Sequence, residues 1–411
     1  MKILIYGINN SPELTGIGKY TGEMSDWFAA NGNEVVAISA PPYYPEWKIH
    51  DGYKKYFFSK EFRNGTQIIR CPLFVPRRPN KLKRIIHLIS FSISSFFALF
   101  YKTLWKPNII IHVSPTLFCA LNTIIFAKIT GSRSIIHIQD FEIDAMFGLF
   151  KKSSIKEKYL FKKLIFFIEK KIYENYTYVS TISSGMVQKL LQKGIKKEKI
   201  ILFPNWCELE HLHEALFNKD LLLRLKIDSE KKIILYSGNM GNKQGLEIIL
   251  DAAKELESDK KLHFMMVGEG SSKEKLIKLS KEYGLANISF HPLQPYELLP
   301  DLLASASTHL VIQKKGVADL LLPSKLTNIL AVGGNAVITA EKNTTLGDLC
   351  NDFSGIAICC EPESYKHLVI AIKKSLEMPT PNLIAKKYAH MNLDKNTILR
   401  NFFNTFVKDA R

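Results

Sequence analysis

Short runs of Ile, Leu and Val recur along the first half of the chain: KILIYGI at the N-terminus, then EVVAISA, NIIIHVSP, SIIHIQD and TYVSTIS. Stretches with helical spacing separate them, the first predicted over Tyr20–Asn31. Continuous apolar runs joined by helices predict parallel strands buried on both faces. After ILFPNWCE (201–208) the alternation starts again with IILYSGN, HFMMVGEG, ISFHP, THLVIQK, NAVITA and GIAICCE. With 411 residues the chain is also longer than one core accommodates. Two doubly wound α/β domains follow, 1–202 and 203–385, with a last helix within 381–408. The segment 386–411 is expected to pack back on the first domain.

Two segments depart from this rhythm. In RRPNKLKRIIHLISFSISSFFALFYKTLWKP, Arg77, Arg78, Lys81, Lys83 and Arg84 precede an apolar stretch from Ile85 to Trp105. It approaches bilayer-spanning length, but His87, four serines and Lys102 interrupt it, with His87, Ser90 and Ser94 on one stripe. The second, residues 151–173, carries eight lysines among Leu, Ile and Phe. Each alone reads as well as an ordinary sheet-covering helix. Together they read as basic amphipathic helices of a membrane interface.

Charge sharpens that picture. The formal net charge is +17, and residues 1–200 hold 30 basic against 14 acidic residues, whereas the remainder holds 26 against 25. A basic half beside a neutral half fits an anionic partner for the first domain only. The six cysteines show no metal-binding spacing, and the N-terminus reads as a strand rather than a secretory leader. The expected setting is the cytoplasm, with free thiols.

Candidate chemistry sits where strands end. The first strand leads into INNSPELTGIGKYTGEMSDWF, whose Gly16 and Gly18 have neither dinucleotide nor Walker spacing. LYSGNMGNKQGLEIILDAA places Gly238, Gly241 and Gly245 before a helix, with Lys243 as a nearby cation. MMVGEGSSKEKL adds Gly268 and Gly270, and LLLPSKLTNILAVGGNAVI adds Pro323, Ser324 and Lys325. Any one loop is explained by steric need; three at strand C-termini suggest a diphosphate-bearing nucleotide. In the first domain, HIQDFEID gathers His137, Gln139, Asp140, Glu142 and Asp144 at a strand end. A lone histidine there is commonly structural, while adjoining carboxylates favour a site.

Taken in order, TGIGKY, HIQDFEID, STISSGM, FPNWCE, SGNMGNKQGLE, MVGEG and LLPSKLTNILAVGGNAVI span nearly the whole chain. In this combination the chain resembles the GT-B glycosyltransferases of family 4, and within them the subgroup that builds bacterial surface polysaccharides, including N-acetyl-L-fucosamine transferases. The resemblance implies two facing Rossmann-like domains. The C-terminal one would hold a UDP-sugar through Gly238, Asn239, Lys243, Gly245, Gly268, Gly270, Ser324 and Asn328. Gly16 and Gly18 would approach the sugar diphosphate from the opposite domain. Lys325 would neutralise the β-phosphate, and Asp140 or His137 would orient the acceptor hydroxyl or the sugar ring. The acceptor implied is lipid-linked, an undecaprenyl-diphosphate-bound GlcNAc, and the outcome retention. The sequence departs from the family at Asn239 and Gln244, where many members have arginine and lysine, and at Asn328, where a ribose-binding glutamate is usual.

No cofactor and no metal are expected, since the chain lacks Asp-x-Asp. The expected location is peripheral, on the anionic inner face of the bacterial cytoplasmic membrane. Two other classes compete. A sugar-nucleotide 2-epimerase shares the fold but does not need a lipid-facing surface. A nucleic-acid binder would use the basic half, but its lysines alternate with Phe, Leu and Ile and no nucleic-acid module is recognisable, so no nucleic-acid partner is expected.

Overall fold

A computed structural model describes residues 1–13, 16–144, 155–213, 215, 217–242, 244–315 and 322–408. The chain divides into one unit of Met1–Ile182 with Met186–Pro204, and another of Ser183–Gly185 with Asn205–Arg411.

The first unit is built on eight strands: β1 (Lys2–Tyr6), β2 (Glu34–Ser39), β3 (Ser59–Arg63), β4 (Thr66–Arg70), β5 (Ile109–Ser114), β6 (Arg133–Ile138), β7 (Tyr178–Thr181) and β8 (Ile200–Leu202). Their order is β3-β4-β2-β1-β5-β6-β7-β8. Leu4 of β1 pairs with Val36 on one side and Ile110 on the other, both parallel. The apolar runs predicted as buried strands are buried. The antiparallel β3–β4 hairpin is not among the predicted elements. It turns through Asn64 and Gly65, both at positive φ (47° and 80°), the Asn-Gly signature of a tight hairpin.

The first helix starts earlier than predicted, at Gly16, and runs to Ala30. Gly16 and Gly18 therefore belong to its first turn and not to a loop ahead of it. Its inner face presents Thr21, Met24, Ser25, Trp27 and Phe28 at helical spacing. The helix Lys81–Tyr101 is capped by Asn80, whose side chain accepts from the Lys83 N–H at 2.9 Å. It is long and apolar enough to cross a bilayer, by length and composition only. Against the sheet it buries His87, Phe91, Ser95, Ala98 and Leu99, and Ser95 Oγ lies 2.7 Å from the Tyr6 hydroxyl. Its outer face stays apolar too: Leu82, Ile86, Ile93, Phe97 and Phe100 are exposed.

The second unit has a six-stranded parallel sheet of β9 (Lys232–Ser237), β10 (Leu262–Val267), β11 (Ile288–His291), β12 (Thr308–Val311), β13 (Ala336–Thr339) and β14 (Ile358–Cys360). The order is β11-β10-β9-β12-β13-β14. The chain winds outward from β9 to β11, then returns beside β9 as β12 and winds the other way. The strand order reverses between β9 and β12, which is where open α/β sheets bind ligands. The C-terminal segment is two helices, Leu383–Asn392 and Lys395–Lys408, and not one. Ala385, Ala389 and Leu393 lie in the core of the second unit with Leu326 and Leu330. The segment from 386 onward thus begins as part of that core.

Candidate active site

Backbone hydrogen bonds lock the loops after β9 and β10 together. The Gly238 N–H donates to Val267 O (2.9 Å), Met240 N–H to Glu269 O (2.8 Å) and Ser272 N–H to Met240 O (2.8 Å). A Cβ on Gly268 would collide with the carbonyl of Gly238, and one on Gly270 would come within 2.5 Å of Met240 O. These two glycines, at φ 145° and 153°, are required by loop-on-loop stacking and not by open room for a ligand. Gly238 is different: the nearest atom to a Cβ there would be Lys325 Cδ, at 3.9 Å.

Lys325 lies in the first turn of the helix Ser324–Val332, which follows the β-conformation of Pro323. Its ammonium sits 4.5 Å from the centre of the Tyr236 ring, an electrostatically favourable position for a cation. The Tyr236 hydroxyl in turn donates to Asn239 O at 2.7 Å, which fixes the ring. Lys325 is half-buried, and lost hydration lowers its pKa from the usual lysine range to about 8. Among the described residues it has no ion-pair or hydrogen-bond partner. Beside it is a cavity of about 170 Å³, with Ser237, Gly238, His309, Ser324, Lys325 and Asn328 in its wall. His309 is buried with its Nε2 unpartnered among the described residues, and burial lowers its pKa to about 4, so the ring is neutral. The helix N-terminus, the free ammonium, Ser324 and Asn328 together suit an anion flanked by hydroxyl groups. Lys243 lies outside the described residues.

In the first unit, the glycines at the start of the first helix have an unforeseen neighbour. Glu13 is buried, accepting from Asn9 Nδ2 (2.9 Å) and from the N–H groups of Tyr43 and Tyr44 (3.1 Å each). Burial raises its pKa against the pull of these bonds. A Cβ on Gly18 would meet the Glu13 carboxylate, so this glycine makes room for a protein group. Gly16, at φ 60° and exposed, has only the Tyr44 ring nearby among the described residues, at 3.7 Å. The glycine pattern alone could not reveal Glu13, although the Ser-Pro-Glu preceding it lies in the same motif.

The polar strand end after β6 separates into distinct roles. Glu142 Oε1 accepts from Ser114 Oγ (2.8 Å) and from the N–H groups of Thr116 (2.7 Å) and Leu117 (3.0 Å), holding the turn after β5. Asp144 pairs with Lys189 (2.9 Å) and Lys193 (2.8 Å). His137 is buried between Ser180 Oγ (3.0 Å) and Gln139 Nε2 (3.3 Å), its pKa lowered by burial to about 3. It is a neutral, fully engaged ring. Asp140 differs from all of these. It reaches solvent without a partner among the described residues, and partial loss of hydration raises its pKa. Of this group it is the carboxylate free to meet another molecule.

Residues 220–392 match the family described as Glycosyl transferases group 1, and residues 15–206 match Glycosyl transferase 4-like domain. The putative colanic acid biosynthesis glycosyl transferase WcaI of Escherichia coli K12 is 50% identical over 406 residues, 98% of this chain and 99% of that one. The chain is a group 1 glycosyltransferase. Among solved structures, this glycosyltransferase is similar to the sucrose-phosphate synthase of Thermosynechococcus elongatus (TM-score 0.72, 14% identity, 99% of this chain and 98% of that chain). It is also similar to Anabaena HepE in complex with UDP (TM-score 0.68, 12% identity, 99% and 100%). The glycosyltransferase has the GT-B fold, two Rossmann-like α/β units.

Proposed function

We propose that this glycosyltransferase transfers an N-acetylated 6-deoxyhexose, N-acetyl-L-fucosamine in the first instance, from UDP to an undecaprenyl-diphosphate-linked GlcNAc in the assembly of a surface polysaccharide. The observation that carries this reading is Lys325, a poorly hydrated ammonium at the switch point of the second sheet, with no carboxylate to balance it among the described residues. Such a group favours a ligand whose negative charge grows during reaction. Support comes from HepE, solved with UDP, and from WcaI, named for colanic acid biosynthesis.

In this mechanism the anomeric C–O bond to the β-phosphate breaks and negative charge develops on the departing UDP. Lys325 and the N–H groups of its helix stabilise that charge more strongly than the ground state. The acceptor oxygen attacks on the same face, giving retention, and the departing phosphate takes its proton. Asp140 orients the acceptor hydroxyl. The decisive experiment is a donor screen by mass spectrometry with the lipid-linked acceptor present and absent. UDP release that requires the acceptor, with a heavier lipid product, supports transfer. Acceptor-independent conversion of the donor into an isomer of equal mass, resolved by chromatography ahead of the mass spectrometer, would instead indicate an epimerase.

Since helix N-termini and lysine provide the counter-charge, turnover should persist in EDTA. Abolition by EDTA with recovery on adding manganese would overturn this account of the diphosphate site.

The outer face of the helix Lys81–Tyr101, the exposed Leu121, Ile125 and Ile129 of the helix Ala120–Thr130 and the basic surplus of residues 1–200 support docking on an anionic membrane. Replacing Ile93 and Phe97, 61% and 62% exposed, with glutamate should weaken binding to anionic vesicles. The loss should be at least tenfold, as each large apolar side chain contributes about 1.5–3 kcal/mol on burial. Co-sedimentation measures it, with turnover of a soluble acceptor unchanged. Undiminished sedimentation would rule out this face. Salt-sensitive binding to nucleic acid, with none to vesicles, would favour the nucleic-acid reading.

A further inference from the structure

The loop after β9 carries Asn239 and Gln244 and places no described basic side chain of its own next to Gly245. A cation nevertheless lies there. Lys314, just beyond β12, runs alongside the loop: a Cβ on Gly245 would come within 2.8 Å of both Cγ and Cε of Lys314 and 3.4 Å of its Cδ. Three carbons of the lysine stem thus lie along Gly245, whose φ of 70° and missing side chain leave the space they fill. β9 and β12 are adjacent at the point where strand order reverses, which is why residues so far apart in sequence meet.

The charge at this position is not neutralised locally. Lys314 is half-buried and has no ion-pair or hydrogen-bond partner among the described residues. The nearby Glu247 carboxyl is held below its usual range first by Lys275, at 2.8 Å, and only lastly by Lys314. Within the same loop, Gln244 Oε1 is buried with no partner among the described residues. An unpaired lysine and an unsatisfied carboxamide flank the same turn. Each is costly unless another group completes it.

We propose that Lys314 is the second cation of the donor site, contacting the diphosphate of the nucleotide from the side opposite Lys325. The inference rests on the donor-site reading above. In this arrangement the leaving diphosphate is held between two lysines on different elements, one fixed over Tyr236 and the other packed along Gly245. Lys314 binds the diphosphate in the ground state, and it stabilises the charge gained when the sugar departs. Gln244 is the loop position from which an added lysine could take over its work.

Titration calorimetry with UDP and with uridine, on the full chain, tests this. Lys314→Met keeps the packed stem and removes the charge; Lys314→Gln is a second form should methionine impair folding. Each should weaken UDP by about tenfold or more, the size of a lost charge-assisted contact, and leave uridine affinity unchanged. In either variant kcat/KM should fall by roughly a hundredfold. Adding Gln244→Lys should restore at least part of the UDP affinity. Lys278→Met, on an 81% exposed side chain paired with Glu282, serves as a neutral control. Equal losses for UDP and uridine would mean that Lys314 only packs the loop, and unchanged UDP affinity would remove it from the site; either overturns the inference alone. If the unaltered protein binds no UDP, the donor-site reading falls and this inference with it.

Discussion

Replacing Lys325 with alanine should lower kcat by about a hundredfold or more, the usual consequence of deleting a preorganised charge stabiliser. UDP affinity should fall much less, because the interaction strengthens as the sugar departs. The ammonium is poised for this by two features: its place 4.5 Å over the Tyr236 ring and its poor hydration. The second feature gives a pH signature. Burial lowers the pKa to about 8, and the charged form is the competent one, so kcat/KM should decline as pH rises through about 8. The limb in kcat should lie at higher pH, since a bound diphosphate favours the ammonium. Lys325→Arg should move the limb out of range. A lysine pKa that is lower in the folded than in the unfolded chain means that its charge costs stability below pH 8, a cost that fades as pH rises to the unfolded value. The alanine variant should therefore melt no earlier than the parent at pH 7, and its lost turnover cannot be ascribed to unfolding. Near-normal kcat in Lys325→Ala would take this residue out of the mechanism and leave the leaving charge to Lys314.

How far the sequence could be read depended on whether a feature was local. Most strands of both sheets were legible because they are apolar runs, as burial on both faces demands. The β3–β4 hairpin was missed because the edge strand SKEFR carries polar residues on both faces and its neighbour TQIIR, though largely buried, has only two apolar residues, although Asn64-Gly65 announces the turn. The glycines illustrate the other limit. Gly18, Gly268 and Gly270 looked like openings for a ligand, yet their missing side chains accommodate Glu13, Gly238 and Met240. Sequence shows that room is needed but not which group takes it. The acidic cluster after β6 behaves likewise. Glu142 and Asp144 are occupied by partners from 25 to 49 positions away, which leaves Asp140 as the free carboxylate. Lys325 was legible through its local Pro-Ser-Lys context. Lys314 was not, because only the order β9-β12 brings it beside Gly245.

Arg70→Ala should be strongly destabilising for the first unit, at about 3–5 kcal/mol, because it removes a buried guanidinium and strands the acceptors around it. Arg70, at the end of β4, is 1% exposed. Its Nε and Nη2 donate to Glu61 Oε1 (2.9 and 2.5 Å), its Nη1 to Ser39 Oγ and Ala40 O (2.9 Å each), and its Nη2 also to Ser11 O. The Tyr53 ring lies 5.5 Å from the guanidinium carbon. One side chain therefore ties β3, β4 and the end of β2 to the loop after β1 that precedes Gly16. Alanine would leave a cavity, two carbonyls without donors and a carboxylate without its partner. Glu13, which Arg70 helps to keep ionised, would titrate still higher. Lysine should recover little, because a single ammonium cannot reproduce the planar fork. Glu61→Gln should cost much less, since Glu61 is 32% exposed and the guanidinium keeps its other acceptors. Urea unfolding followed by tryptophan fluorescence can isolate the effect: Trp27, Trp47 and Trp105 lie in the first unit and only Trp206 in the second. A shift below about 1 kcal/mol, the worth of an exposed pair, would mean that water replaces the guanidinium and that the anchor is dispensable.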